Sequence, residues 1–369
     1  METDQNMNWD VPFEVHHEED WISATMADEF YLYFTIVDGD AHVVDYLYGY
    51  KLEHRSVRIP ALISLDGRCY PVTILEDEAL AYCDAWELVL PPTLTTIGRM
   101  ALKNAKNLER LAIPASVRRI AKDAFDGCGM VVENLSPYFL YREGILYPQN
   151  LMHIIYVNKG IERAVLPEGL VEISEGCFEE RKLLRKVEIP DSVVKIGDRA
   201  FRGCSGLNDV VLPKGLRELG KWGFGGCECL EELAIPKGVN VINEGLCSRC
   251  SALRRVRFEG EVWSIGEDAF YRTALEDVEL NEGLKEIGQS AFGGCRSLKR
   301  INIPESVEVI RSCAFEDCIK LECMKLPEGL KRIGDGVFGS CLNLKQWNIP
   351  EGMESIGREA FGNCKRSKN

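Results

Sequence analysis

The sequence is poor in histidine and has no long hydrophobic run. Only 5 of its 369 residues are histidine, and a Cys-His or Ser-His-Asp constellation needs one beside its nucleophile. No G-x-x-x-x-G-K motif occurs, so the common phosphate-binding loop is absent. The longest early apolar stretch, residues 30–37, is far too short to span a bilayer. These absences argue against nucleotide chemistry and against membrane insertion.

Basic residues are also fewer than acidic ones. The chain carries 44 Lys and Arg against 58 Asp and Glu, a formal net charge of −14. An acidic surface repels nucleic acid and anionic lipid unless a local basic patch overrides the total. We therefore expect no nucleic-acid partner.

A secretory signal has a basic start followed by an apolar run. The N-terminal residues of this sequence do not show that pattern. If Met1 is the native first residue, we expect a cytoplasmic protein. If Met1 replaces a removed signal peptide, the expected location is the cell surface or the extracellular medium. Both alternatives stay open.

A repeat of 23 residues organises most of the chain. It is marked by a proline slot, usually preceded by Leu or Ile, at residues 91, 114, 137, 167, 190, 213, 236, 259, 281, 304, 327 and 350. Nine of the eleven steps between these slots are 23 residues, one is 22 and one is 30. Glu259 and Asn281 replace the proline in two units. A period in this range is typical of a solenoid whose units stack to share one core.

Two further positions recur in each unit. An aromatic slot holds Phe125, Phe178, Phe201, Phe224, Phe270, Phe292, Phe315, Phe338 and Phe361, with Leu102 and Cys247 as exceptions. A cysteine slot three residues later holds Cys128, Cys204, Cys227, Cys250, Cys295, Cys318, Cys341 and Cys364, with Ala105, Arg181 and Thr273 as exceptions. The fixed spacing predicts that both slots face inward.

Each unit begins with alternating apolar residues, as in Leu207-x-x-Val210-x-Leu212, which predict a short strand. The proline that follows ends strand pairing because it has no N–H group. An Ile-Gly pair a few residues later predicts a bend that uses the conformational freedom of glycine. One unit has too few inward side chains for its own core, so the units must stack, with ~2 kcal/mol from each fully buried Leu, Ile or Phe.

This unit resembles the 23-residue BspA-like leucine-rich repeat, also called the Treponema-type repeat. That family's unit runs L-x-x-I-x-I-P-x-x-V-x-x-I-G-x-x-A-F-x-x-C, and residues 189–204, IPDSVVKIGDRAFRGC, match it almost letter for letter. The resemblance covers about residues 55–364. It implies a right-handed, β-rich leucine-rich-repeat solenoid, and a role like that of the surface adhesion and binding proteins known in this family.

The ends and one insertion fall outside the repeat. Residues 1–58 are rich in aromatic side chains, with Asp38-Gly39 between two apolar runs, which predicts a hairpin in a β cap over the first turn's open edge. A second Asp-Gly pair, at 66 and 67, predicts another hairpin. The solenoid is expected over 59–364 and a tail over 365–369.

The single 30-residue step contains two apolar runs and predicts an inserted hairpin at about residues 137–160. We expect it to project, either as a ligand-contacting lip or as a plain decoration of the family. The last turn has no distinct cap. It is either covered by its own side chains or used for end-to-end self-association.

Fifteen cysteines leave disulfides, metal ligands and buried thiols as alternatives. Cys247 and Cys250 have the spacing of a redox or zinc half-site, but they hold the aromatic and cysteine slots of one unit. Successive cysteine slots would lie ~4.8 Å apart, yet parallel side chains oppose bridging. We predict free thiols that pack as small hydrophobic residues.

No histidine occupies a repeat slot. His16 and His17 stand beside acidic residues, but neighbours on an extended chain point apart, so a metal site is not expected there. An enzyme centred on His153 is the weakest hypothesis, because no nucleophile motif accompanies it. We predict no catalytic residue, no metal ligand and no cofactor.

The outward residues of the repeat strands are the candidates for partner binding, since they line the concave face of a leucine-rich-repeat solenoid. The fourth position before the proline slot holds Arg163, Lys186, Asp209, Glu232, Arg255, Asp277, Arg300, Cys323 and Gln346. The second position before it holds Val165, Glu188, Val211, Ala234, Arg257, Glu279, Asn302, Lys325 and Asn348. The two stripes carry both signs of charge.

Two interpretations of these stripes stay open. Opposite charges on neighbouring strands would pair, each pair contributing up to about 1 kcal/mol. The pairs expected are Lys186 with Asp209, Arg255 with Asp277, and Arg257 with Glu279. Alternatively, the polar residues form a protein-binding surface anchored by Arg255, Arg257 and Arg300.

Trp222 and Trp263 occupy positions that are polar in most other units. They are either exposed hot spots for a partner or packed under a loop. We expect a non-catalytic interaction or scaffolding module that binds a protein or peptide on a pre-formed concave surface. The alternative is a cell-surface adhesin that binds a host protein or glycan.

Overall fold

The structure is a computed structural model that describes residues 13–18, 21–26, 30–48 and 56–364. Within these residues every regular element is a β-strand and no helix occurs. The chain winds as a β-solenoid of about 12 turns, which confirms the predicted fold class. It divides into two compact units, Met1–Lys159 and Gly160–Asn369. The predicted cap boundary at residue 58 falls inside the first unit, and the predicted tail, 365–369, lies outside the described residues.

The described part of the first unit holds sixteen strands. They are β1 (Phe13–Glu14), β2 (His16–Glu18), β3 (Trp21–Met26), β4 (Phe30–Val37), β5 (Asp40–Tyr48), β6 (Ser56–Arg58), β7 (Leu62–Leu65), β8 (Arg68–Leu75), β9 (Glu87–Val89), β10 (Thr96–Ile97), β11 (Arg110–Ile113), β12 (Arg119–Ile120), β13 (Val131–Asn134), β14 (Phe139–Arg142), β15 (Ile145–Pro148) and β16 (Tyr156–Val157).

A hairpin of two long strands forms the main part of the cap. β4 and β5 pair antiparallel, and Asp38 and Gly39 between them have φ values of 53° and 90°. Two positive φ values are those of the type I′ turn that Asp-Gly favours. β5 also pairs in parallel with β8, so the hairpin covers an edge of the first repeat strands, as predicted. Asp66 and Gly67 likewise join β7 to β8.

Two parallel ladders continue from the cap. β6, β9, β11 and β13 pair side by side ahead of the proline slots, and β8, β10 and β12 pair ahead of the next bend. The core between them includes Ala101, Leu102 and Ala105 in one turn and Phe125 and Cys128 in the next, all of them buried.

The insertion is an antiparallel sheet of three strands, β14, β15 and β16. Phe139, Leu146 and Tyr156 belong to the buried core of the first unit. The Tyr156 hydroxyl donates to the carbonyl oxygen of Met130 at 2.7 Å, and its ring meets Phe125 edge-on at 5.8 Å. The prediction that this hairpin projects is therefore wrong, because Phe139, Leu146 and Tyr156 are buried in the core of the first unit.

The second unit has two strands in every turn. Strands ahead of the proline slots form the pre-proline ladder: β17 (Arg163–Val165), β19 (Lys186–Glu188), β21 (Asp209–Val211), β23 (Glu232–Ile235), β25 (Arg255–Phe258), β27 (Asp277–Glu279), β29 (Arg300–Asn302), β31 (Cys323–Met324) and β33 (Gln346–Trp347). Strands ahead of the second bend form the pre-glycine ladder: β18 (Glu172–Ile173), β20 (Lys195–Ile196), β22 (Glu218–Leu219), β24 (Val241–Ile242), β26 (Ser264–Ile265), β28 (Glu286–Ile287), β30 (Val309–Ile310), β32 (Arg332–Ile333) and β34 (Ser355–Ile356). All pairing within both ladders is parallel and one turn apart, as in Lys186 with Asp209 and Val241 with Ser264.

Phenylalanine rings stack along the core of this unit. Centroids of Phe178, Phe201 and Phe224 are 5.0 and 5.2 Å apart. A second stack runs through Phe270, Phe292, Phe315, Phe338 and Phe361, at 5.4, 5.4, 5.5 and 5.1 Å. Cys247 separates the two stacks. These distances are close to the spacing of paired strands, so the backbone ladder sets the ring spacing.

Glycine at the second bend is needed for close approach of successive turns. A Cβ added to Gly197 would lie 2.6 Å from the backbone nitrogen of Glu175, and one added to Gly220 would meet the backbone of Gly197 and Asp198. Neither glycine has a positive φ; Trp222, two residues after Gly220, has a φ of 56°. The prediction that these glycines supply unusual dihedral angles is therefore wrong at both positions.

Candidate binding surface

Outward side chains of the pre-proline ladder form one face of the second unit, which we call the pre-proline face. In β27, for example, Val278 is buried between the exposed Asp277 and Glu279. Strands alternate in this way because successive side chains point to opposite faces of the sheet. The structure places these predicted site residues on this face: Arg163, Lys186, Glu188, Asp209, Glu232, Arg255, Arg257, Asp277, Glu279, Arg300, Asn302 and Gln346.

Salt bridges connect neighbouring strands across the face. The shortest N–O distances are 2.8 Å for Lys186–Asp209, 2.5 Å for Arg163–Glu188, 3.3 Å for Arg257–Glu232 and 3.4 Å for Arg300–Asp277, and Arg255 also pairs with Glu232. All these side chains keep substantial solvent contact, so each pair contributes at most about 1 kcal/mol. The pairs order the side chains more than they stabilise the fold.

Two of the three predicted pairings are wrong. Lys186 does pair with Asp209, but Arg255 and Arg257 both reach back to Glu232 of the preceding turn. Asp277 is bound by Arg300 from the following turn. Each charged residue in a ladder has neighbours on both sides, so alternation of charge does not decide which neighbour it takes.

The Lys186 ammonium shows the local electrostatics of the face. Its hydrogen bond to the Asp209 carboxylate, together with the attraction of that charge, raises the pKa of Lys186 above its ordinary value. Both partners remain exposed, so the shift marks an ordered pair and carries no large stabilisation.

Two predicted site residues make contacts between successive turns of the solenoid. Asn348 accepts a hydrogen bond from the Leu326 backbone nitrogen at 2.8 Å and donates to the Leu326 carbonyl at 3.0 Å, which joins two successive turns. Lys325 pairs with Glu305 at 3.3 Å, beyond the end of its strand. We therefore place the candidate surface on the strands themselves.

Apolar side chains interrupt the charge on this face. Val211 in β21 is 74% exposed and Val165 in β17 is 44% exposed. Val211 lies beside Glu188 in the parallel register. Both valines stand in the second predicted stripe, but their exposure could not be known before the neighbouring side chains were placed.

The two singled-out tryptophans differ. Trp222 is partly buried: its indole lies against the backbone of Gly245, and its Nε1–H donates to Glu244 at 3.4 Å. A Cβ at residue 245 would collide with the ring, so Gly245 makes this packing possible. Trp263 is 53% exposed and remains a candidate for contact with a partner.

The cysteine slots have a specific contact that sequence analysis did not foresee. The Cys204 thiol donates to the carbonyl oxygen of Phe178 in the preceding turn at 2.9 Å, and Cys227 donates to Phe201 at 3.2 Å. The same contact, at 2.9 to 3.3 Å, is made by the cysteines at 128, 250, 295, 318, 341 and 364. Each thiol is therefore a weak hydrogen-bond donor between turns as well as a small apolar group.

None of the fifteen cysteines is in a disulfide in the described part of the chain. Burial raises the pKa of Cys204 to about 12 and that of Cys295 to about 11. A thiol with so high a pKa is protonated at neutral pH, and the nucleophile and metal ligand is the thiolate. Cys247 and Cys250 are both buried inside the stack, in agreement with their slot positions.

One buried histidine contacts an acid. His42 in β5 is 8% exposed, and its Nδ1 lies 2.7 Å from an Oε1 of Glu76. This contact ties the cap hairpin to the residue after β8. Within the described ranges, no three His, Cys, Asp or Glu side chains are grouped to hold a metal ion.

Stacked turns with paired parallel strands and an exposed strand face define a leucine-rich-repeat solenoid. Six copies of the family model described as "BspA type Leucine rich repeat region" match residues 71–137, 153–273 and 263–369. The matches cover most of the chain, so the chain belongs to this family. The resemblance inferred from the 23-residue unit is confirmed.

Several solved structures are similar to this chain. A leucine rich cell surface protein from Faecalibacterium prausnitzii is 19% identical over 98% of this chain and 96% of its own, with a TM-score of 0.56. A leucine-rich repeat protein from Bacteroides ovatus is 21% identical over 93% of both chains, with a TM-score of 0.49. The T. pallidum leucine rich repeat protein is 29% identical over 63% of this chain and 89% of its own, with a TM-score of 0.30.

No curated protein sequence matches at a significant level. Among the residues that the structure describes, no helix is long and apolar enough to cross a membrane.

Proposed function

We propose that the second unit is a non-catalytic interaction module that binds a protein or peptide on its pre-proline face. The observation that carries this proposal is Val211, a 74% exposed aliphatic side chain on a face whose charged neighbours are already paired. Burying a valine side chain against a partner is worth about 1.5 kcal/mol or more.

The ordered face also lowers the cost of binding. Pairs such as Lys186–Asp209 and Arg255–Glu232 hold long side chains in place before a partner arrives. Immobilising a flexible side chain on association costs roughly 0.5–1.5 kcal/mol. A partner that binds this face would therefore immobilise fewer flexible side chains, so association would lose less conformational entropy.

Affinity capture from native extract tests the proposal. We expect a partner retained by the wild-type chain to be lost from Val211→Asp and from the double variant Arg255→Glu/Arg257→Glu. Arg332→Glu/Arg358→Glu makes the same change of charge away from the pre-proline face and should retain it. A partner held equally by all four proteins would contradict this location.

The alternative function is a cell-surface adhesin that binds a host protein or glycan. It is favoured by the Faecalibacterium prausnitzii structure, which is described as a leucine rich cell surface protein. The cytoplasmic location expected from Met1 stays a prediction. Fractionation of the native cells separates the two: chain found only in the cytosol would remove the adhesin hypothesis.

End-to-end self-association through the last turn also stays a prediction. Sedimentation velocity of the purified chain, at concentrations spanning a hundredfold, measures it directly.

A further inference from the structure

One turn of the second unit has cysteine in both of its inward slots. Cys247 stands in the aromatic slot and Cys250 in the cysteine slot, and no other repeat of the sequence combines two cysteines in this way. Both side chains are fully buried, at 0% exposure. The repeat pattern accounts for Cys250, but it does not account for the thiol that replaces a phenylalanine at residue 247.

The bulk of the missing ring is supplied from other positions. Leu246 stands where most other turns have alanine, and its Cδ1 would lie 3.4 Å from a Cβ added to Gly223. Phe258 in β25 meets the ring of Phe270 edge-on, with centroids 6.3 Å apart. The core is therefore filled around Cys247, and two small thiols are left together inside one turn.

The backbone of this turn has the closure that a disulfide needs. The Cys250 nitrogen donates to the Cys247 carbonyl oxygen at 3.1 Å, which closes a β-turn over residues 247–250. The first and fourth Cα atoms of a β-turn lie within about 7 Å of each other, and a disulfide joins Cα atoms about 4.4–6.8 Å apart. Since both side chains face the core, the turn satisfies the backbone requirement of an intra-turn bridge.

The two thiols already interact in the reduced chain. The contact with the Cys250 thiol, together with burial, raises the pKa of Cys247. Cys227 also interacts with Cys250, but these two hold the same slot of adjacent turns, where parallel side chains oppose a bridge. The Cys250 thiol donates to the carbonyl oxygen of Phe224 at 3.0 Å, a hydrogen bond that requires its proton.

We propose that Cys247 and Cys250 are a redox pair that a low-molecular-weight disulfide oxidises to an intra-turn disulfide. Because both thiols are buried, the reaction begins when the turn opens transiently. One cysteine, as its thiolate, attacks the small disulfide and forms a mixed disulfide, and the thiolate released takes up a proton. The other cysteine then loses its proton and displaces the second small thiol. Two protein thiols and one small disulfide thereby give one protein disulfide and two small thiols.

Oxidation changes the contact between two turns. A bridged Cys250 sulfur carries no proton, so its hydrogen bond to the Phe224 carbonyl is lost. The Phe224 nitrogen donates to the Leu246 carbonyl at 2.8 Å. The Gly226 nitrogen donates to the Ser248 carbonyl at 2.8 Å and joins the same two turns. Loss of one weak hydrogen bond beside them should speed amide exchange at Phe224 and Gly226 by roughly two- to fivefold.

Peptide mapping of the folded, full-length chain tests the pair. The reduced chain is equilibrated with mixtures of oxidised and reduced glutathione, its remaining thiols are blocked, and it is digested with trypsin. Trypsin cleaves after Arg249, so the proposed bridge joins two peptides, residues 238–249 and 250–254, which contain one cysteine each. We expect these linked peptides with at least about tenfold less oxidised glutathione than any other bridge in the chain requires.

Two controls make the result specific. Cys318 and Cys341 hold the cysteine slots of adjacent turns and should stay unlinked under the conditions that bridge Cys247 and Cys250. The variant Cys247→Ala should leave Cys250 without an intra-chain bridge, and its melting temperature shows whether it is folded. Hydrogen exchange of the oxidised and reduced wild-type chain, followed by mass spectrometry, measures the change at Phe224 and at the amide two residues later.

Three results would overturn the proposal. The first is absence of the linked peptides at every glutathione ratio at which the chain stays folded. The second is a bridge between the peptide 250–254 and the peptide 222–237, which carries Cys227, since the pair would then lie between turns. The third is unchanged amide exchange at Phe224 and Gly226 in the oxidised chain.

Discussion

The two units build their cores from different side chains on the same repeat. In the second unit phenylalanine and cysteine recur at most levels, so rings stack and thiols bond the preceding turn. In the first unit one turn has Leu102 and Ala105 in these slots and the next has Phe125 and Cys128, and Tyr156 of the insertion packs edge-on against Phe125. The 23-residue period therefore specifies the winding of the chain, and several combinations of side chains can fill it.

The largest effect is expected from a charge placed in the ring stack. Phe201 is fully buried between Phe178 and Phe224, and Phe201→Asp would bury an unpaired carboxylate there. We expect the second unit to unfold. Because each unit is compact by itself, amide hydrogen exchange should show lost protection in Gly160–Asn369 and retained protection in the first unit.

Phe201→Leu is the matched control, since it keeps an apolar side chain and should lower the melting temperature only moderately. Wild-type melting of Phe201→Asp would contradict the register of the ring stack. Loss of protection in both units would show that the two cores unfold together. The units would then differ in their core side chains but not in their independence on unfolding.

Alkaline pH should lower the unfolding free energy of the second unit, by less than Phe201→Asp does. The folded pKa values of Cys204, Cys295 and Cys341 are raised to about 12, 11 and 12 from an ordinary value of 9.0. Below pH 9 both folded and unfolded chains keep these protons. Between pH 9 and 11 only the unfolded chain releases them, so each thiol should cost about 1.4 kcal/mol of unfolding free energy per pH unit.

Urea unfolding of the second unit, followed by hydrogen exchange at pH 8, 9 and 10, measures this slope. The triple variant Cys204→Ala/Cys295→Ala/Cys341→Ala should be less stable at pH 8 but lose stability less steeply as pH rises. An equal slope in wild type and triple variant would show that other groups control alkaline unfolding. Titration of the denatured, unreduced chain should also find free thiols.

The smallest effect is expected at the surface, where the units are alike. Lys186–Asp209 in the second unit and Arg99–Asp123 in the first are both inter-turn salt bridges, at 2.8 and 3.2 Å. Double-mutant cycles to alanine should give a coupling of roughly 0.2–1 kcal/mol for each. A coupling well above 1 kcal/mol at only one of these salt bridges would show that the two units differ at the surface as well as in the core.

Positions that belong to one repeating local pattern could be predicted from the sequence. The aromatic and cysteine slots were located because inward residues recur at a fixed register, and alternation along each strand identified the outward residues such as Arg255 and Glu279. The partner of Arg255 could not be predicted, since ladder neighbours on both sides offer a carboxylate and only the reach of the side chains decides between them. The packing of the insertion could not be predicted either, because apolar runs are equally compatible with a projecting hairpin and a packed sheet.

The exposure of individual side chains was the other limit. Val211 and Val165 occupy equivalent positions, yet they are 74% and 44% exposed, and Trp222 is covered by its contact with Gly245 while Trp263 is not. Such differences depend on the residues one turn away, so the exposure of these side chains could not be predicted from any single repeat.

The winding, the two Asp-Gly hairpin turns and the identity of the core-facing residues follow from the sequence alone. These depend on local backbone preferences and on a hydrophobic period that repeats in every unit. The tertiary structure decided which charges pair, why Gly197 and Gly220 are needed, how the insertion packs and which apolar side chains stay exposed. Those properties depend on distances between atoms in different turns, about 23 residues apart in the chain and a strand spacing apart in space.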